Sequence, residues 1–185
     1  MALAQAKDDA LSDRLRAVGV PDAGGGWLGQ ARREALGRLK AMGLATKRDE
    51  YWRYTDPTSL NTPAAPVAQV FNPQDEAPVF DAIDRLKIVF VDGVFDPAAS
   101  DDLTLAGVEI ERLAQAGGAD IHWAQGLYGV LEARGQTPVA RPLAALNTAA
   151  ATDGVLIRVT GKAARPVALV YVHASTTSDA MLHHC

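Results

Sequence analysis

Apolar positions recur at helical spacing through the first forty or so residues of the chain. Leu11, Leu15 and Val18 fall on one stripe of a helix predicted from about Ala4 to Val18, with Pro21 beyond its end. A glycine run, Gly24–Gly26, interrupts the pattern. It resumes in "WLGQARREALGRLKAMGL", where Leu28, Ala31, Ala35, Leu39 and Met42 fall at spacings of three and four. Arg32, Arg33, Arg38 and Lys40 take the other side, which predicts an amphipathic helix. Gly43 stands where a left-handed residue would stop it.

The pattern then breaks. Pro57, Pro63, Pro66, Pro73 and Pro78 deny both regular helix and central strand, so residues 57–78 read as a connector. This divides the chain into a helical domain at 1–56 and a mixed region at 79–185. In the mixed region, "RLKIVFVDGVFD" predicts a strand over Lys87–Val91, a turn at Asp92-Gly93 and a short continuation. "GVEIERL" predicts another strand. Ile121–Arg134 and Val139–Ala150 read as helices, with Asn147 a candidate cap near the end of the second.

The last third is β-branched. "GVLIRVTG" places Val155, Ile157 and Val159 on one face. "RPVALVYVHAS" places Val167, Leu169, Tyr171 and His173 on one face and Ala168, Val170 and Val172 on the other. Short, evenly spaced strands of this kind recur in hairpins, sandwiches and β-solenoid rungs, and periodicity alone does not choose among them.

Composition narrows the function classes. The 185 residues are 48% hydrophobic and 22% charged, enough for a packed core. A net charge of −4 gives no overall drive toward nucleic acid or an acidic membrane. The distribution is uneven: Arg32–Arg53 holds seven basic and three acidic residues, Asp75–Glu111 ten acidic and two basic. One cysteine, Cys185, excludes an intramolecular disulfide. The opening "MALAQAKDDALSD" has no apolar core of a secretory signal, and no apolar run approaches the roughly 18 residues of a membrane span. The expectation is a soluble, cytoplasmic protein.

Several patterns imitate chemistry. "GGGWLG" satisfies G-x-G-x-x-G at Gly24, Gly26 and Gly29, with Asp49 about twenty residues on, but a helix and Pro21 precede it where a dinucleotide site needs a strand. "GVLIRVTGKAA" is spaced wrongly for a phosphate loop and has Ala163 where a magnesium-binding hydroxyl belongs. His183, His184 and Cys185 are metal-ligand types in a row, but consecutive side chains diverge and rarely close a tetrahedral site alone. His122, beside Trp123, reads as a helix-start residue. No catalytic triad or carboxylate pair stands out, so no enzyme is expected.

The stretch "RDEYWRYT", Arg48–Thr55, concentrates three aromatic residues in eight positions. Thr46 and Asp49 are spaced as a capping box, and Glu50 and Asp49 lie three and four positions before Arg53. Trp52 has a ring to bury, and Tyr51 and Tyr54 offer hydroxyls at a surface. The segment reads either as an anchor pinning the helical part onto the strands or as a partner-facing aromatic patch.

"GLATKRDEYWRYTD", Gly43–Asp56, resembles the signature that opens proteins of the SufB/SufD family of the SUF iron–sulfur cluster assembly system, in its SufD version. Gly43, Leu44, Thr46, Arg48, Glu50, Trp52, Arg53, Tyr54 and Thr55 carry the match, with Ala45 where proline is usual. "IVFVDGVFDPAAS", "PLAALNTAAATDGVLIRV" and "RPVALVYV" agree in order and spacing. The resemblance implies an α+β chain: an N-terminal helical domain followed by the first rungs of a right-handed parallel β-helix, with Val155–Val159 and Val167–His173 as early rungs. It implies a non-catalytic scaffold with a SufB-like subunit and the SufC ATPase as partners. It also implies Glu50, Trp52, Arg53, Tyr54 and Thr55 as structural or interface anchors. Family members are longer, and their cluster-associated histidine and SufC-docking helices lie beyond Cys185. No catalytic, cofactor or metal residue therefore transfers, and the iron–sulfur cluster belongs to the full complex. Two other readings are a β-solenoid carbohydrate-active or carbohydrate-binding protein and an interaction module using the basic helix 32–53.

Overall fold

The computed structural model describes residues 2–49, 52–63, 79–130 and 140–176, with side chains from residue 6 onward. Helix α1 spans Ala2–Val18 and α2 spans Gly26–Met42. Gly43 ends α2 at φ 76°, and its N–H donates to the Leu39 carbonyl at 2.8 Å, as the sequence predicts. A short helix, α3, follows at Thr58–Asn61. The apolar stripes of α1 and α2 meet α5 (Pro142–Ala150) in a core of Leu11, Leu39, Ala145 and Leu146. Each leucine buried there is worth about 1.5–3 kcal/mol relative to exposure. Pro142 suits the first turn of α5 because its ring presets φ and its missing N–H would be unpaired anyway. The capping N–H of Ala151 donates to the Asn147 carbonyl.

The helix expected over Ile121–Arg134 is, in its described part, only a 3-10 turn at Trp123–Gly126 followed by further turns. His122 starts it: its Nδ1 accepts the Ala124 N–H at 3.1 Å. Gly126 and Gly129, the latter at φ 68°, interrupt the chain before a helix can propagate. Residues 131–139 lie outside the described residues, as do the connector positions 64–78.

Strand β1 (Leu86–Val91) forms a hairpin with β2 (Val94–Phe95) through Asp92-Gly93, both at positive φ. β3 (Val108–Arg112) runs into a one-turn helix, α4 (Leu113–Ala116). β4 (Val155–Val159) pairs antiparallel with β3, placing Ile110 opposite Ile157. β5 (Val167–Val172) pairs parallel with β1, placing Leu86 opposite Val167 and Phe90 opposite Tyr171. The sheets are thus β2-β1-β5 and β3-β4. Leu86, Ile88, Phe90, Leu105 and Val108 are buried between them, with Val155, Ile157, Val167, Leu169 and Tyr171 packed against that core. In β4 and β5 these are the alternate positions that the strand periodicity assigned to one face, except that Val159, at the end of β4, is exposed.

The expected first rungs of a right-handed parallel β-helix are corrected by this pairing. Val155–Val159 and Val167–Val172 are not stacked coils: they belong to different sheets, one antiparallel and one parallel, and the described residues form no closed solenoid. The turn between them explains the divergence. Thr160 and Gly161 donate their N–H groups to the Gly107 carbonyl at 3.0 and 3.1 Å, and Ala164 donates to Ala106. Gly107, at φ 78°, lies so close to Lys162 that a Cβ would sit 2.3 Å from its carbonyl oxygen. The chain leaving β4 is therefore gripped at the start of β3 before it crosses to β1. Side-chain alternation sets which face of a strand is buried but not which strand lies beside it. With the solenoid goes the premise of the carbohydrate reading.

Asp153 ties the second sheet together. Its Oδ2 accepts both Nε (3.1 Å) and Nη2 of Arg112, while its Oδ1 accepts the N–H groups of Ala114 and Gly154. The Arg112 guanidinium also lies over the Phe95 ring, 4.5 Å from its centroid, linking the two sheets.

Candidate interface at the aromatic turn

The segment after Gly43 is built from turns. Asp49 accepts the Thr46 N–H at 2.7 Å through Oδ2 and the Thr46 hydroxyl at 3.0 Å through Oδ1. The Asp49 N–H returns a bond to the Thr46 carbonyl. Of the capping box expected from the spacing only the Asp49 half forms, because the Asp49 N–H goes to the Thr46 carbonyl and not to its hydroxyl. No α-helix grows from it: Trp52 donates to the Asp49 carbonyl and Thr55 to the Trp52 carbonyl, two successive three-residue turns.

Two bonds fix this turn to the helices. Asn61 donates to the carbonyl of buried Ala45 at 2.6 Å. Arg14, on α1 and only 2% exposed, donates to the Thr62 carbonyl at 3.0 Å. Between them Pro57 is fully buried. Asp56 accepts both the hydroxyl and the N–H of Thr58, and these bonds, the hydroxyl's first, hold its carboxyl below the usual carboxylate range, with a small contribution from Lys47.

The motif side chains divide between interior and solvent. Trp52 is half-buried and shares a shallow depression of about 270 Å³ with residues 140–144, at the start of α5. Arg53 and Thr55 are exposed. Tyr54 is 88% exposed, with the Arg53 guanidinium 5.5 Å from its ring centroid. Asp49 directs its carboxylate to Thr46. Glu50 and Tyr51 lie outside the described residues, as do His183, His184 and Cys185. Among the described residues no group of three or more His, Cys, Asp or Glu is placed to hold a metal ion. None of the described helices is long and apolar enough to cross a membrane.

A family described as "SufBD protein N-terminal region" matches residues 23–167. The chain belongs to this family. The "Iron-sulfur cluster assembly protein SufD" of Escherichia coli (strain K12) is 34% identical over 76 residues. That alignment covers 40% of this chain and 18% of the E. coli protein.

Within this SufBD N-terminal region, the sequence reading undervalued Trp27 by treating its surroundings only as a false dinucleotide motif. Trp27 is 2% exposed, donates its indole N–H to the Ala116 carbonyl at 2.8 Å and stacks on His122. The glycines serve that contact. A Cβ on Gly26, at φ 67°, would lie 2.6 Å from the Gly117 carbonyl oxygen. The N–H groups of Trp27 and Leu28, which would face a pyrophosphate at a helix start, donate to the Ala119 and Gly117 carbonyls. A tryptophan directly after three glycines was the available signal that backbone approaches backbone here.

Proposed function

We propose that the chain contributes to iron–sulfur cluster assembly as part of a non-catalytic, SufD-like scaffold acting with a SufB-like subunit and the SufC ATPase. The observation that carries this reading is the family match over residues 23–167, within which the Trp52 motif bridges α2, α3 and the start of α5. In this reading Trp52 is the inward anchor, and Arg53, Tyr54 and Thr55 present the outward side of the same turn.

A non-catalytic role is supported by how the acidic side chains are engaged. In the described part of the acid-rich stretch, Asp81 pairs with Arg85, Asp84 with Arg165, Glu109 with Arg158 and Glu111 with His122. Asp96 and Asp102 accept local backbone N–H bonds that shape turns, Asp101 accepts the Lys87 N–H of β1, and Asp92 accepts the Ala174 and Ser175 N–H groups beyond β5. Co-expression of the full-length protein with SufB and SufC is expected to give a complex that co-purifies through a tag on any one subunit. Failure of that association removes the reading.

A further inference from the structure

A cleft of about 300 Å³ lies between the end of α1, the turn at 20–23 and the outer stripe of α2. Leu15, Leu36 and Ala149 give it an apolar floor, and Arg32, Arg33 and Lys40 give it a cationic rim. Arg33 and Lys40 are seven positions apart and so return to the same side of the helix, with Leu36 between them. Both are exposed. Arg33 Nη1 donates to the Gly24 carbonyl at 3.0 Å. Arg32 reaches across to the Ala151 carbonyl, and its buried Nε has no hydrogen-bond partner. Asp22 is the one acid lining the cleft among the described residues.

We infer that this cleft docks an acidic segment of another polypeptide, which buries an aliphatic side chain on the Leu15–Leu36 floor and sets Asp or Glu carboxylates against Arg33 and Lys40. Charge complementarity fixes the sign of the partner, and the floor fixes its need for an apolar anchor. The described members of this chain's own acid-rich stretch do not supply the acids, since they are engaged in ion pairs and main-chain hydrogen bonds. A free phosphate fits less well, because Arg32 and Arg33 diverge from consecutive positions and the floor between the cations is aliphatic. A membrane surface fits less well too, because the apolar groups are recessed in a cleft. The inference goes beyond the scaffold reading, since the cleft shares none of its lining residues with the Trp52 depression.

The test titrates the isotope-labelled 185-residue chain with a short synthetic peptide alternating Leu with Glu and Asp, and with the same peptide carrying Lys for each acid. The acidic peptide is expected to give saturable NMR shifts at residues 15–23, 32–40 and 149, weakening about tenfold between roughly 0.05 and 0.5 M salt. Arg33→Glu with Lys40→Glu is expected to reduce binding at least about tenfold, and Lys40→Glu alone several-fold, with the rest of the spectrum retained as a control for folding. The inference is overturned by equal binding of the basic peptide or by shifts elsewhere. It is equally overturned by no saturable response up to about 1 mM peptide. The same shifts produced by inorganic phosphate or anionic vesicles but not by the peptide, or by dilution of a self-associated chain, would also overturn it.

Discussion

The Trp27 indole N–H donates to the Ala116 carbonyl at 2.8 Å while its ring stacks on His122 with centroids 5.4 Å apart and Tyr128 meets it edge-on. Ring area and hydrogen bond are therefore separable. Trp27→Ala is expected to cost about 3–5 kcal/mol, and Trp27→Phe about 0.5–1.5 kcal/mol, because the Ala116 carbonyl loses the indole donor but keeps the Ala119 N–H. Urea melts of both variants check this. A Trp27→Phe loss near zero would mean that the bond contributes nothing.

Trp52 should behave differently. Its ring is only half-buried, so Trp52→Ala is expected to cost about 1–2 kcal/mol, below the range for a fully buried tryptophan. Tyr54→Ala, at an exposed ring, should stay within about 0.5 kcal/mol yet weaken assembly with the partner subunits. Thermal melts and tagged co-purification, run on the same variants, separate the two roles.

Asp153 joins β3, α4 and β4 through one carboxylate. Asp153→Ala leaves Arg112 and two main-chain N–H groups without their acceptor, so a loss of about 2–4 kcal/mol is expected in denaturant unfolding. A loss below about 1 kcal/mol would show that water replaces the carboxylate.

Asp56 is held below the usual carboxylate range by Thr58. A lowered folded-state value means that this carboxylate favours folding at pH above its unfolded value and ceases to do so as pH falls through the folded value. Carboxyl NMR titration is expected to place Asp56 below the ordinary aspartates. Thr58→Ala should raise it only part of the way toward them, because the main-chain N–H of residue 58 still donates to it.

β5 is the end strand of its sheet, half-buried along its whole length, with no strand on its outer edge among the described residues. Concentration-dependent association is expected in light scattering of the 185-residue chain, and Val170→Lys should suppress it by placing a charge beside that edge. A monodisperse, cooperatively melting monomer at high concentration would contradict this.

Helices α1, α2 and α5 were legible because their signals are local, whereas Ile121–Arg134 carried an apolar pattern that Gly126 and Gly129 cut to turns. The α1 and α2 stripes, the Gly43 stop, the Asp92-Gly93 turn and the Thr46–Asp49 pair all depend on residues within a turn or two of each other. So were the strand faces: Val155, Ile157, Val167, Leu169 and Tyr171 all pack against one core. Strand partners were not legible, because pairing β1 with β5 and β3 with β4 depends on distant segments meeting, and the resemblance supplied a stacked arrangement that the pairing overturns. Arg32 and Arg38 read as a solvated face, yet each donates to a remote carbonyl, at Ala151 and Gly129. A long side chain can reach across a helix shoulder, which no residue count reveals.

The Leu86–Val167 register has a temporal meaning. During synthesis β1 leaves the ribosome roughly eighty residues before its parallel neighbour exists, an interval of some 4 to 16 s at ordinary translation speeds. Its sticky Leu-Lys-Ile-Val-Phe-Val run must wait, shielded by little more than its own hairpin. Nascent-chain chaperones should therefore crosslink to that stretch and let go once translation passes β5.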